Sequence, residues 1–171
     1  RLRPVRIAMP VNLRRFFPSK TLRNFITMVY PSIDPRLGDY TFEEIVTQVH
    51  HYMRYYINSK FLRGDITTNA STQRNPLIRI VPLFLKDFVV RQFYQRVQDK
   101  NSSAGLTNMG AIRVPDDMKP YLERFDIYMG IPYSQRTNCA IVSFEDTLTV
   151  NFASCIIEAD VEREFVSVLV E

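Results

Sequence analysis

The sequence predicts an α+β fold: a two-layer sandwich in which a mixed, mostly antiparallel β-sheet has helices packed on one face. Three observations predict it. Apolar and polar residues alternate near the start, long apolar stripes at helical spacing fill the middle, and short strand-like runs joined by turns precede a final helical stripe.

The first strand is read from Val5, Ile7 and Met9, which alternate with Arg6 and Ala8 at the period of a half-buried strand. Pro10 leads into Val11-Asn12-Leu13-Arg14-Arg15, and Phe16-Phe17-Pro18 breaks regular structure. Phe25, Ile26, Met28, Val29 and Tyr30 form a second apolar strand that stops at Pro31. The order is strand, basic crossing, strand.

Asp34-Pro35-Arg36 and Gly38-Asp39 then mark a turn region. Thr41-Phe42-Glu43-Glu44 is a capping box, in which the Thr41 hydroxyl and the Glu44 carboxylate each satisfy the other's unpaired amide. Phe42, Ile45, Val46, Val49, Tyr52, Met53, Tyr56 and Ile57 follow at helical spacing, so the helix is expected to run to about Leu62 and stop at Gly64. The Thr-, Asn- and Ser-rich stretch 65–75 reads as a frayed helix end or a loop. A second helix is expected from Pro82, with Leu83 to Gln98 apolar on most of its circumference.

Leu106 to Pro115 reads as a strand interrupted by Gly110, the pattern of a bulge or a close backbone approach. Asp116 to Pro120 is a turn, Tyr121 to Met129 extended, and Gly130 to Arg136 a loop. Cys139–Phe144 and Leu148–Phe152 form a hairpin through Glu145-Asp146-Thr147. Asp160 is placed to cap a last helix whose inner face is Val161, Phe165, Val168 and Leu169.

A chain of 171 residues can bury one full core, and it is read as a single domain, 1–171. No stretch of 18 uncharged apolar residues occurs, which argues against a membrane partner. Cys139 and Cys155 lie in apolar runs and are expected to be buried free thiols, which suits a cytoplasmic location. The net charge of +4 comes from scattered bases, enriched only between Arg1 and Arg23, and no RNA-binding signature accompanies them. A nucleic-acid partner is therefore not expected. The first residue is Arg1 rather than Met, so the chain reads as a piece of a larger protein.

Pro10-Val11-Asn12-Leu13-Arg14-Arg15 and Phe16-Phe17-Pro18-Ser19-Lys20-Thr21-Leu22-Arg23-Asn24-Phe25 resemble the start of the second half of acyltransferases related to chloramphenicol acetyltransferase. That group includes alcohol acetyltransferases and the condensation domains of peptide synthetases. Leu106-Thr107-Asn108-Met109-Gly110 with Ile112-Arg113-Val114-Pro115 is similar to the family's Ser/Thr-Asn-any-Gly strand. Ile80-Val81-Pro82-Leu83-Phe84-Leu85-Lys86 is similar to its proline-led helix, and the closing hairpin with Glu158 to Phe165 to its C-terminal end. These landmarks follow the family's order along nearly the whole chain.

The resemblance implies the C-terminal subdomain of a two-half enzyme that passes an acyl group from a coenzyme A or carrier-protein thioester to an alcohol or amine. The acyl thioester would be a donor substrate, no covalently bound cofactor is implied, and the N-terminal half of the same polypeptide is the expected partner. That half would carry the family's His-His-any-any-any-Asp-Gly motif, whose second His is the general base. Here the nearest approach is His50-His51-Tyr52-Met53-Arg54-Tyr55-Tyr56, with Tyr55 in place of Asp and Tyr56 in place of Gly, in the middle of a predicted helix. No catalytic residue is assigned, and the chain alone is expected to be inactive and to self-associate. No metal site is expected either, because only two His are present.

For the channel or donor site the resemblance implies Thr107, Asn108 and Gly110. Asn12 and Arg14 fall on one side of an extended chain beside the basic cluster. They serve either to tie the crossing segment to backbone carbonyls or to contact the donor's phosphates or the other half. The alternative from a different functional class is a non-catalytic binding or assembly module of the same fold.

Overall fold

The computed structural model describes residues 2–74, 82–83, 87, 91–92, 102–131 and 135–170. The chain divides into two compact units, Arg1–Ser102 and Ser103–Glu171. The fold is α+β with mixed, mostly antiparallel strand pairing, as the order of elements predicts: three of the strand pairs described below are antiparallel and one is parallel.

In the first unit, β1 (Val5–Asn12) pairs antiparallel with β2 (Ile26–Val29) and β3 (Ser32–Ile33). Met9 faces Val29 and Val5 faces Ile33 in one continuous register, with the Ile7 amide donating to the Pro31 carbonyl at 3.1 Å between them. β2 and β3 are thus one strand broken at Pro31, which has no N–H to give to the ladder. The alternation at Val5, Ile7 and Met9 marks the strand but not its covered side. Ala8 and Val11, on opposite faces of β1, are both buried while Val5 is exposed, because period alone does not say what packs against each face.

Helix α1 (Phe42–Tyr56) begins with the predicted capping box: the Thr41 amide donates to Glu44 Oε2 at 2.8 Å and the Glu44 amide to Thr41 Oγ1 at 3.3 Å. The helix lies on the β2–β3 strand, where Gln48 Nε2 donates to the Ser32 carbonyl and the Tyr30 amide donates to the Tyr52 hydroxyl. Its inner stripe is Ile45, Val49, Tyr52 and Met53, half-buried, while Phe42 and Val46 of the predicted stripe are exposed.

The helix ends earlier than expected, and the residue responsible is Asn58. Its Oδ1 accepts from the Lys60 and Phe61 amides, both at 3.0 Å, and its Nδ2 donates to the Tyr55 carbonyl. One side chain closes α1 and opens α2 (Ser59–Arg74). The helix α2 runs through Gly64 and on to Arg74, over the polar stretch read as a frayed end or a loop. Thr67 and Thr68 stay helical by donating their hydroxyls to the carbonyls of Arg63 and Gly64, four residues back. Leu62 on α2 is among the most buried side chains. Of the helix expected over Leu83 to Gln98, Leu83, Asp87, Arg91 and Gln92 are helical, and the rest lies outside the described residues.

In the second unit, β5 (Thr137–Phe144) lies between β4 (Ala104–Ala111), parallel to it, and β6 (Thr147–Ser154), antiparallel. The β5–β6 hairpin turns on Glu145 and Asp146, with Phe144 opposite Thr147 and Glu145 in the left-handed region at φ 50°. Asn138, Ala140, Val142 and Phe144 of β5 share one buried face. On it lies the segment after the 3-10 turn Lys119–Tyr121, through an edge-to-face contact of Phe125 and Phe144 at 5.1 Å. The strand expected over Tyr121 to Met129 is irregular there, since it covers the sheet rather than joining it.

Helix α3 (Asp160–Val170) packs on the opposite face through Phe165, 5.2 Å from Phe152, which stands opposite Cys139 in the ladder. Asp160 is the first helical residue rather than the cap, since the Arg163 amide donates to the Ala159 carbonyl. Phe165 and Glu162 are half-buried, whereas Val161, Val168 and Leu169 of the predicted inner face are exposed. Among the described residues, no helix is long and apolar enough to cross a membrane. Cys139 is buried, with its thiol pKa raised by that burial, but Cys155 is exposed, contrary to expectation, because it falls one residue beyond the end of β6.

Candidate functional site

The candidate residues form two groups, one in each unit. In the first, the β1–β2 ladder continues past the strand ends, with the Leu13 amide donating to the Phe25 carbonyl at 3.1 Å. Residues 14–24 project beyond that last rung as a loop. Asn12 does not lie beside Arg14 along an extended chain, because Leu13–Arg15 is a 3-10 turn. Asn12 caps that turn, its Oδ1 accepting from the Arg14 amide at 3.0 Å. The Arg14 guanidinium reaches across the loop: Nη2 donates to the carbonyls of Thr21 at 2.9 Å and Arg23 at 2.6 Å, and Cζ lies 6.0 Å from the centre of the Phe25 ring. Thr21 and Arg23 are further held by bonds from their amides to Ser19 Oγ and Thr21 Oγ1. Arg14 therefore ties the crossing segment to backbone carbonyls.

The second group lies on β4. Its register with β5 holds from Ala104 opposite Thr137 to Asn108 opposite Ile141, then shifts so that Ala111 faces Ser143. One extra residue on β4 makes a bulge. Gly110 takes φ +71°, and a Cβ there would meet nothing within 4 Å, so the backbone angle and not crowding calls for glycine. Asn108 Oδ1 accepts from the Gly110 amide at 2.8 Å and stabilises the bulge, after which the Ile112 amide resumes pairing with the Ser143 carbonyl. Thr107 is half-buried, Asn108 exposed.

A further polar group escaped the sequence reading. Asn138 is only 1% exposed, its Oδ1 accepting from the Gly105 amide at 2.9 Å and its Nδ2 donating to the Gly130 carbonyl at 2.8 Å. It joins the start of β4 to the end of the covering segment. A Cβ on Gly105 would lie 2.5 Å from Asn138 Oδ1, so this glycine is one of close approach. In the sequence Asn138 stands just ahead of the apolar run Cys139–Phe144, so nothing local marked it as buried, and such a group is buried only with its bonds satisfied.

His50 and His51 stand on regular helix, their rings edge-to-face at 5.9 Å, and Tyr55, at the position of the family's Asp, packs on Tyr56 and Phe61. The run is part of an aromatic surface in which Tyr52 and Tyr56 stack at 4.4 Å. Among the described residues, no group of three His, Cys, Asp or Glu side chains could hold a metal ion.

Charged groups elsewhere pair locally. Arg36 holds the Asp34 carboxyl down to about 2 through bonds from its guanidinium and its amide. Lys119 bridges Asp116 at 2.9 Å and Glu145 at 3.3 Å, and its pKa is raised by the bond to Asp116 first and to Glu145 second. No protein-family model matches the chain, and no curated protein or solved structure matches it.

Proposed function

We propose that the chain is the C-terminal half of an acyltransferase of the chloramphenicol acetyltransferase and condensation-domain type. It helps to move an acyl group from a coenzyme A or carrier-protein thioester to an alcohol or amine. The observation that carries this reading is the bulge on β4. The quoted motif, Thr107-Asn108-Met109-Gly110, lies on a strand that needs an Asx acceptor at Asn108 and a left-handed residue at Gly110. A motif of this kind shapes backbone at a strand's functional edge instead of supplying a reactive group. In the reaction the acceptor gives its proton to a general base and attacks the thioester carbonyl, and collapse of the tetrahedral oxyanion releases the thiol. The base comes from the other half, and Thr107 with the bulged backbone lines the path of the donor.

Thiol release from acetyl-coenzyme A tests this. The chain alone should release none above the uncatalysed rate, since a general base contributes about two to four powers of ten. Mixed with a polypeptide bearing the His-His-any-any-any-Asp-Gly motif of the family, it should do so, and Gly110→Val should abolish that activity. Turnover by the chain alone that is lost in His51→Ala would overturn the assignment of the base.

One observation favours a second reading, a binding or assembly module without chemistry. Asn12, Arg14 and Asn108 all bond their own backbone in this structure. Equilibrium binding separates the two: the acyltransferase half should bind acetyl-coenzyme A and the module should not.

A further inference from the structure

The loop 14–24 combines three properties. It is built rigidly, by the Arg14 bonds to the Thr21 and Arg23 carbonyls and the Ser19 and Thr21 turns. It carries Leu22 at its tip, fully exposed at 102%. It also sits in a stretch of one sign, for residues 1–33 hold seven Lys or Arg and no Asp or Glu. A preorganised loop that offers an apolar side chain among cations is a contact surface, because ordering it costs little at the moment of binding.

The second unit has the complementary features. Residues 103–171 carry eleven Asp or Glu against five Lys or Arg. Ala159, just before α3, and Val166 and Val170 on it line an open, mainly apolar groove of about 600 Å³ together with Glu162 and Arg163. Glu162 Oε2 is buried with no hydrogen-bond partner among the described residues. A buried carboxylate oxygen without a donor is costly, and a cation brought to the groove would relieve it. Glu158 and Glu164 are exposed nearby on the chain.

We propose that the loop of one chain docks into the α3 groove of a second copy, with Leu22 seated against Val166 and Val170 and Lys20 and Arg23 facing Glu158 and Glu162. Charge complementarity selects this occupant: the loop offers Lys20 and Arg23 with no acidic residue in its stretch, and the start of α3 offers Glu158 and Glu162. The contact joins two different surfaces and is therefore heterologous. None of this depends on the acyl-transfer reading.

Light scattering and sedimentation of the 171-residue chain test the proposal, at about 50 mM and about 500 mM salt, where screening differs severalfold in range. The mass should rise with concentration at low salt and fall at high salt. Leu22→Ser and the double variant Lys20→Glu/Arg23→Glu should each weaken association about tenfold or more, with unchanged circular dichroism. Glu158→Lys/Glu162→Lys should do the same. Mixing the two charge-reversed proteins should restore association, since both mixed contacts again pair opposite signs. A strict monomer at all concentrations overturns the proposal, whether or not the loop then binds anionic vesicles. So does association that ignores Leu22→Ser and both reversals, or a mixture that fails to recover.

Discussion

Replacing Asn138 by Ala should destabilise the protein by about 1.5–4.5 kcal/mol. The figure is assembled from two unequal bonds. The Gly105 amide, 2.9 Å from Asn138 Oδ1, belongs to a buried residue and would lose its acceptor, which costs about 1–3 kcal/mol for an unsatisfied buried donor. The Gly130 carbonyl is in an exposed residue and can turn to water, so losing its 2.8 Å bond removes only about 0.5–1.5 kcal/mol. Gly105→Ala should cost about 1–3 kcal/mol by overpacking against the same oxygen. Because Asn138→Ala removes that oxygen, Gly105→Ala should be milder in the Asn138→Ala background, with a coupling on the order of 1 kcal/mol.

Asn138→Asp keeps the acceptor for Gly105 but sets a second carboxylate oxygen against the Gly130 carbonyl, in a site 1% exposed. Burial and that repulsion would raise its folded pKa above the unfolded value. The unfolded chain then releases the proton first, so stability should fall as pH rises through the carboxylate range and recover in acid. Urea unfolding of the single and double variants, with exchange of the Gly105 amide, provides the measurement. A cost for Asn138→Ala within about 0.5 kcal/mol of zero, with the Gly105 amide protected as before, would refute the reasoning.

Asn58→Ala should lose about 1 kcal/mol by removing the cap that opens α2, read as a lower melting temperature and reduced helical dichroism. Gly110→Ala should cost about 1–2 kcal/mol for its left-handed angle, and Gly110→Asn clearly less in the same denaturation assay. The Asp34 carboxyl should titrate near 2 by NMR and move toward 3.8 in Arg36→Ala. Since its folded pKa is depressed, the stabilisation by ionised Asp34 is present above the unfolded value and is lost as pH falls through about 2. Cys155 should be alkylated well before Cys139, whose thiol is buried and harder to ionise, and equal rates in a native-state mass-spectrometry time course would contradict the burial of β5.

What the sequence by itself determined was whatever is decided within a few residues. The Thr41–Glu44 capping box, the turn at Asp34-Pro35, the break at Pro31 and the tight β5–β6 turn all form between neighbours in the chain, so their residues announce them. The bulge at Gly110 was legible for the same reason, its Asx bond spanning two residues. Even the Asn58 junction was local, but its signal was outweighed by an apolar stripe that continues in period across the break.

Tertiary structure decided the rest. Asn12 and Arg14 could be singled out from the sequence, but whether Arg14 met an anion or the carbonyls of Thr21 and Arg23 depended on how the crossing loop closed. Asn138 reaches an amide 33 residues away, and the Tyr121–Met129 stretch became a cover over β5 instead of a strand, because the same extended residues suit either fate until a sheet is there to be covered. Which side of α3 is inward was likewise settled by Phe152 meeting Phe165, since a helix apolar over much of its circumference has several equivalent faces and only a packed partner chooses among them.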